Sequence, residues 1–215
     1  MPIDYTPDPP DSLPLGKQNV NPDPIRQFAR WFEQAKQAYL GEDFDPTAMT
    51  LATTSPDNQP SARIVLLKSF DQKGFVFYTN YHSPKAIDLA GNPQTALVFH
   101  WPALERQVRI QGSASKVDRS TSTTYFHSRP RGSQIGAIAS NQSQVISDRT
   151  NLEQRFADLK GELDGRTVPV PVHWGGFLVQ PQWIEFWQHG PNRLHDRLRY
   201  RLQAHNSWKL ERLSP

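Results

Sequence analysis

Cysteine is absent from all 215 residues. That absence excludes disulfides, thiolate metal sites and cysteine nucleophiles together. No apolar run approaches the roughly 20 residues of a membrane-spanning helix, and the proline-rich N-terminus lacks the apolar centre of a signal peptide. No glycine-rich dinucleotide fingerprint, no phosphate loop ending Gly-Lys-Ser/Thr and no Gly-x-Ser-x-Gly elbow occurs. The seven histidines never fall at metal-ligand spacing, the closest pair being His189 and His195, so no metal site is expected. A soluble cytoplasmic protein is the expectation. The formal net charge is +3 and the pI about 9.2, but the basic residues are scattered among acids. Such a balance suits a small anionic ligand as well as nucleic acid, and no nucleic-acid partner is expected.

Residues 1–24 hold seven prolines and few large apolar groups, which predicts a flexible N-terminal arm. Residues 25–215 are expected to form a single domain. Asp23 can cap a first helix with Pro24 in its opening turn, and Ile25, Phe28, Phe32, Ala35 and Tyr39 make one apolar stripe. Strand patterns follow at 48–54, 61–69 and 75–79, then a short helix near 84–90, then strands at 94–101 and 106–118. Helix is expected over 121–140, broken at Pro130, and over 147–163. Strands return near 174–180, 183–188, 196–203 and 207–212. Many strands without a βαβ rhythm predict a mainly β, α+β fold, an antiparallel barrel with helical additions.

Three constellations carry chemistry. In Arg63-Ile64-Val65-Leu66-Leu67-Lys68 a cation stands at each end of a strand, and alternation puts Arg63 and Lys68 on opposite faces. Both could simply reach solvent. Tyr125 and Arg129 close one helix while Ser133 opens the next; the junction is either a phosphate cradle at a helix N-terminus or a capped turn with an exposed arginine. Arg193, His195 and Arg197 alternate, so in extended chain two cations flank an imidazole on one face, which favours an anionic ligand between them. Glu185, set in Trp183-Ile184-Glu185-Phe186-Trp187, reads as a buried acid in want of an arginine.

These motifs resemble the pyridoxine/pyridoxamine 5'-phosphate oxidase family. The resemblance runs from Asp45-Pro46-Thr47 to the C-terminus through R-I-V-L-L-K (63–68), F-Y-T-N (77–80), E-R-Q-V (105–108), Y-F-H-S-R-P-R-G-S-Q-I-G-A (125–137), W-G-G-F (174–177), I-E-F-W-Q (184–188) and R-L-H-D-R (193–197). It implies an FMN-binding split β-barrel that works as a homodimer with FMN at the interface. By the same resemblance Arg63, Ile64, Val65, Leu66, Leu67, Lys68, Tyr78, Thr79, Lys85, Gln107, Gln142, Ser143, Trp187 and Arg197 surround FMN. Lys68, Tyr125, Arg129 and Ser133 hold the substrate phosphate, and Arg193 and His195 lie over the substrate ring as the catalytic pair. The implied reaction oxidises pyridoxamine 5'-phosphate and pyridoxine 5'-phosphate to pyridoxal 5'-phosphate, with O2 as acceptor and H2O2 as by-product. A non-catalytic carrier of FMN or pyridoxal phosphate on the same fold is the alternative. Two departures stand out: no arginine precedes Arg26, although relatives carry arginines and a tyrosine in an N-terminal lid, and Pro84 replaces an arginine that often contacts the FMN phosphate.

Overall fold

A curled antiparallel sheet of nine strands organises residues 15–215, the part of the chain that the computed structural model describes. The order is α1 (Pro24–Ala38), β1 (Ala48–Thr54), β2 (Pro60–Leu66), β3 (Ser69–Asp71), β4 (Gly74–Asn80), α2 (Pro84–Gly91), β5 (Gln94–Trp101), β6 (Arg106–Lys116), α3 (Arg119–Ser128), α4 (Arg131–Ala139), α5 (Arg149–Glu162), β7 (Trp174–Gln188), β8 (Asp196–Leu202) and β9 (Trp208–Arg212). The expected α+β barrel class is the observed one. No helix among the described residues is long and apolar enough to cross a membrane.

The sheet forks along β7. Strand β6 pairs with β7 over its whole length, whereas the other edge of β7 is shared between β4 (from Trp174 to Val179) and β8 (from Trp183 to Gln188). The fork sits at Pro181, which has no N–H to give a ladder. Opposite it the register shifts between Gln111 and Gly112, and a Cβ on Gly112 would lie 1.9 Å from the carbonyl oxygen of Gln180. Only glycine admits that approach. The two strands expected at 174–180 and 183–188 are therefore one bulged strand whose halves serve different neighbours.

Similarly, the strand expected over 61–69 is two. Leu67 turns inward to 4% exposure, its N–H donating to Thr47 (2.9 Å), while the Lys68 N–H donates to Val76 (2.9 Å). The inward turn separates β2 from β3 and cancels the alternation that would have set Lys68 by counting from Arg63.

Helix α1 packs its apolar face into the core of the sheet. Asp23 Oδ1 accepts from the N–H of Ile25 (2.8 Å), satisfying a donor that the first turn leaves over. The buried face comprises Ile25, Phe28, Trp31 and Ala35. Phe28 is fully enclosed, with Phe70, Phe75 and Phe99 centroids 4.9, 4.9 and 5.0 Å away. A second apolar cluster, built on Phe126, Ile135, Val168 and Trp174, holds α3, α4 and α5 against the beginning of β7.

Residues 1–14 of the expected arm, Tyr5 among them, lie outside the described residues. Its remaining stretch is docked. Leu15 is buried, its N–H donates to Asp196 (3.1 Å), its carbonyl accepts from Arg212 (2.8 Å), and the Tyr200 hydroxyl donates to Asn21 (2.5 Å). Those anchors come from β8 and β9, so nothing local to the proline-rich segment announces them.

Candidate active site

A cavity of about 510 Å³ opens between β2, β4 and the α3–α4 junction. Ile64, Val65, Leu66, Lys68, Tyr78, Thr79, Lys85, Tyr125, Arg129, Ser133 and Gln142 all line it, so most of the residues predicted for one half of the site meet there. Pro130 ends one helix and begins the next: Arg129 is extended (φ −74°, ψ 152°) after α3, and Ser133 lies in the first turn of α4. The broken junction therefore turns the last residues of α3 and the N-terminus of α4 toward one space.

One wall is aromatic. Tyr78 stacks on Tyr125 (4.0 Å) and on Trp174 (5.3 Å), and the Arg129 guanidinium lies over Trp174 at 4.9 Å. Burial pushes both phenols above their ordinary range, so they stay neutral donors. Burial also pulls the Arg129 guanidinium below its ordinary value, partly offset by Tyr125. Its Nη1 is buried without a hydrogen-bond partner among the described residues. A desolvated guanidinium nitrogen left unpaired costs free energy that an anion would return.

A second cationic group stands nearby. Lys85 Nζ donates to Gln142 Oε1 (3.1 Å), Ser83 Oγ (3.2 Å) and Thr79 Oγ1 (3.3 Å). Burial, with the charge of Arg63 added, holds this ammonium below the usual lysine value. Arg63 does not line the cavity wall itself. Its Nη1 donates to Thr53 Oγ1 (2.7 Å), whose hydroxyl in turn donates to the buried Asp88 (2.7 Å). That relay fixes the guanidinium, and the charge of Asp88 partly offsets the lowering that burial imposes on it. Lys68, Lys85 and Arg129 form no ion pair among the described residues.

Two predicted positions differ from their neighbours. Leu67 is buried in the core, so only its backbone can face a ligand. Ser143 is exposed with a left-handed backbone (φ 70°) just beyond the cavity wall.

The remaining predicted residues lie at the far end of β7. Gln107, Trp187 and Arg197 stand directly opposite one another on β6, β7 and β8, hence on one face. Arg197 Nε donates to the buried Glu185 (2.9 Å), which also faces Arg109 (3.5 Å). Glu185 thus has the arginine its sequence context called for. The His195 ring lies 4.7 Å from Trp187. Arg193 departs from the expected alternation: it sits in a turn at φ 61°, after Asn192 at φ 54°, so the extended-chain rule does not reach it. From Gly176, beside Tyr78, to Trp187 the strand path is about 36 Å. Within one chain, the cavity and the Gln107, Trp187 and Arg197 end thus belong to opposite halves of β7.

Sequence reasoning missed Trp174, Asn80, Gly136, Ala137 and Ser140 in the cavity wall. Trp174 stood in the quoted W-G-G-F motif and was left without a role. Thr53 and Asp88 have no signal at all in one sequence, because their pairing links β1 to α2 across 35 positions.

Comparison with known proteins fits this geometry. The family model described as pyridoxamine 5'-phosphate oxidase matches residues 33–161, and that of the pyridoxine 5'-phosphate oxidase C-terminal dimerisation region matches residues 174–215. A curated pyridoxine/pyridoxamine 5'-phosphate oxidase of Acaryochloris marina is 60% identical over 94% of this chain and 90% of its own length. One from Trichormus variabilis is 55% identical over 94% and 92%. Among solved structures, PhzG from Burkholderia lata in complex with tetrahydrophenazine-1-carboxylic acid superposes with a TM-score of 0.87 at 29% identity, covering 95% of this chain and 98% of that one. A pyridoxamine 5'-phosphate oxidase-related, FMN-binding protein from Nostoc punctiforme shares the fold at a TM-score of 0.70, 14% identity, and 90% and 98% coverage. The chain is an oxidoreductase that belongs to the pyridoxamine 5'-phosphate oxidase family.

Proposed function

We propose that this chain, as a homodimer, uses FMN and O2 to oxidise pyridoxine 5'-phosphate and pyridoxamine 5'-phosphate to pyridoxal 5'-phosphate, releasing H2O2 and, from the amine with uptake of water, ammonia. The observation that supports the reading is one cavity that gathers Lys68, Lys85, Arg129 and Ser133, while Arg197 stands on β8 opposite Trp187, at the other end of β7. A second copy, joined through the region that matches the family's dimerisation segment, would set Arg193 and His195 of one protomer over the cavity of the other.

The residues present fit the two phosphorylated ligands. Arg63 and Lys85, braced by Thr53 and Gln142, suit the phosphate of FMN. Lys68, Tyr125, Arg129 and Ser133 suit the phosphate of the substrate, and the unpaired Nη1 of Arg129 points to an anion as its natural partner. When bound, FMN supplies the hydride acceptor and passes the electrons on to O2. The chain itself orients and encloses. Holding the pyridine in place by its phosphate makes transfer from C4' effectively unimolecular, and Arg193 would hold the ring's orientation while the C–H bond breaks.

Complementation between impaired variants, assayed at pyridoxamine 5'-phosphate well below the native KM, tests the shared site. Arg129→Ala damages one half-site and Arg193→Ala the other. Co-refolded, they should recover roughly a quarter of native activity, because half of the randomly formed dimers are mixed and each has one intact site. No recovery from mixed dimers confirmed by mass would refute the shared-site arrangement.

A further inference from the structure

The turn between β7 and β8 bears on which ring nitrogen of His195 carries the proton. Asn192 and Arg193 both take left-handed backbone, at φ 54° and 61°, conformations that side-chain-bearing residues hold only when their surroundings enforce them. The enforcement is a close fold-back of the turn on itself. A Cβ added to Gly190 would lie 2.3 Å from the carbonyl oxygen of Leu194 and 3.4 Å from the Cα of His195. In this arrangement the backbone N–H of Gly190 donates to Nδ1 of His195 at 3.2 Å. Trp187 and His189 flank the ring at 4.7 and 5.2 Å and hold its plane.

A backbone amide nitrogen can only donate, so Nδ1 must present its lone pair. Neutral imidazole has one N–H and one lone pair. With the lone pair committed to Gly190, the proton resides on Nε2, the nitrogen at the outer end of the ring. An imidazolium, with donors at both nitrogens, would leave the Gly190 N–H without an acceptor.

We propose that Gly190 is a positioning residue that fixes His195 as its Nε2–H tautomer, so that His195 donates a hydrogen bond to an acceptor atom of the phosphorylated pyridine and does not take the substrate's proton. The proposal rests on the oxidase reading for the identity of the ligand, but the tautomer stands on the turn alone. Among the described residues, Gly190 has no other role that demands glycine: its φ of −138° is open to any residue, and only the contact with Leu194 excludes a side chain.

Long-range proton–nitrogen correlation spectra of the FMN-loaded protein, with ¹⁵N-labelled histidine, read the tautomer without turnover. The expected spectrum shows His195 protonated at Nε2 and unprotonated at Nδ1; Gly190→Ala should bring in the other tautomer. Protonation at Nδ1 in the native protein would overturn the proposal. Two further variants give a readout should Gly190→Ala fail to fold. His195→Gln can place an amide N–H near the Nε2 position, whereas the amide of His195→Asn reaches only the Nδ1 position. His195→Gln should therefore keep kcat/KM about ten- to a hundredfold above His195→Asn, the worth of one buried hydrogen bond. Equal losses in both would overturn the donor role. The Nε2–H spectrum in a protein that oxidises neither substrate would uphold the tautomer and overturn the oxidase reading.

Discussion

Replacing Arg129 by leucine separates a binding role from a structural one, because the two predict opposite signs of stability change. The guanidinium is half-buried, and among the described residues its Nη1 has no partner and it makes no ion pair. Removing it relieves an uncompensated desolvation and forfeits a contact with Trp174 at 4.9 Å, worth about 0.5–1 kcal/mol in a partly exposed setting. The ligand-free protein should therefore unfold within about 1 kcal/mol of the native one, at equal or higher denaturant. A phosphate oxygen bound by this group contributes roughly 1.5–3 kcal/mol, so KM for pyridoxamine 5'-phosphate should rise about ten- to a hundredfold. The kcat should change little, since the phosphate is held alike in ground and transition states. Urea titration of the ligand-free protein and steady-state oxygen uptake supply both numbers. A loss of several kcal/mol with KM unchanged would refute the reasoning and make Arg129 a structural residue.

The other half-site should respond in the opposite kinetic term. Arg193→Ala should lower kcat with a smaller effect on KM, measured by the same oxygen uptake. Thr53→Val breaks the relay from Asp88 to Arg63, and flavin fluorescence should report an FMN Kd raised about five- to tenfold, the cost of roughly 1 kcal/mol of hydrogen bonding. Because burial and Arg63 hold Lys85 below the ordinary lysine value of 10.5, Lys85 loses its proton at lower pH than an exposed lysine. The FMN Kd should accordingly climb with rising pH before that value is reached, and Lys85→Arg should flatten the climb. Phe28→Ala should destabilise the fold by about 3–5 kcal/mol, seen as a lower urea midpoint, since its ring packs against five others.

Much of the fold was legible because strand alternation and helix capping are local. Asp23 and Pro24 marked the start of α1, and Pro130 marked the break between α3 and α4. What escaped depended on distant partners. Pro181 and Gly112 divide the neighbours of β7 only because they face each other across the sheet. Leu67 ends β2 by turning toward Thr47, which no spacing rule foresees. The cationic motifs were legible, yet their distribution was not: alternation placed Arg193 with His195 and Arg197, while a left-handed turn sets it apart. Residues that brace others, such as Thr53, Asp88 and Gly190, are ordinary residue types and carry no signal until the fold brings them together.

Oxygen consumption by the FMN-loaded protein, with pyridoxamine 5'-phosphate and then pyridoxine 5'-phosphate, tests the central claim most directly. The account predicts turnover of both, with pyridoxal 5'-phosphate and hydrogen peroxide formed in equal amounts. A yellow dimer that binds these compounds yet leaves oxygen unconsumed would contradict it and make the protein a carrier.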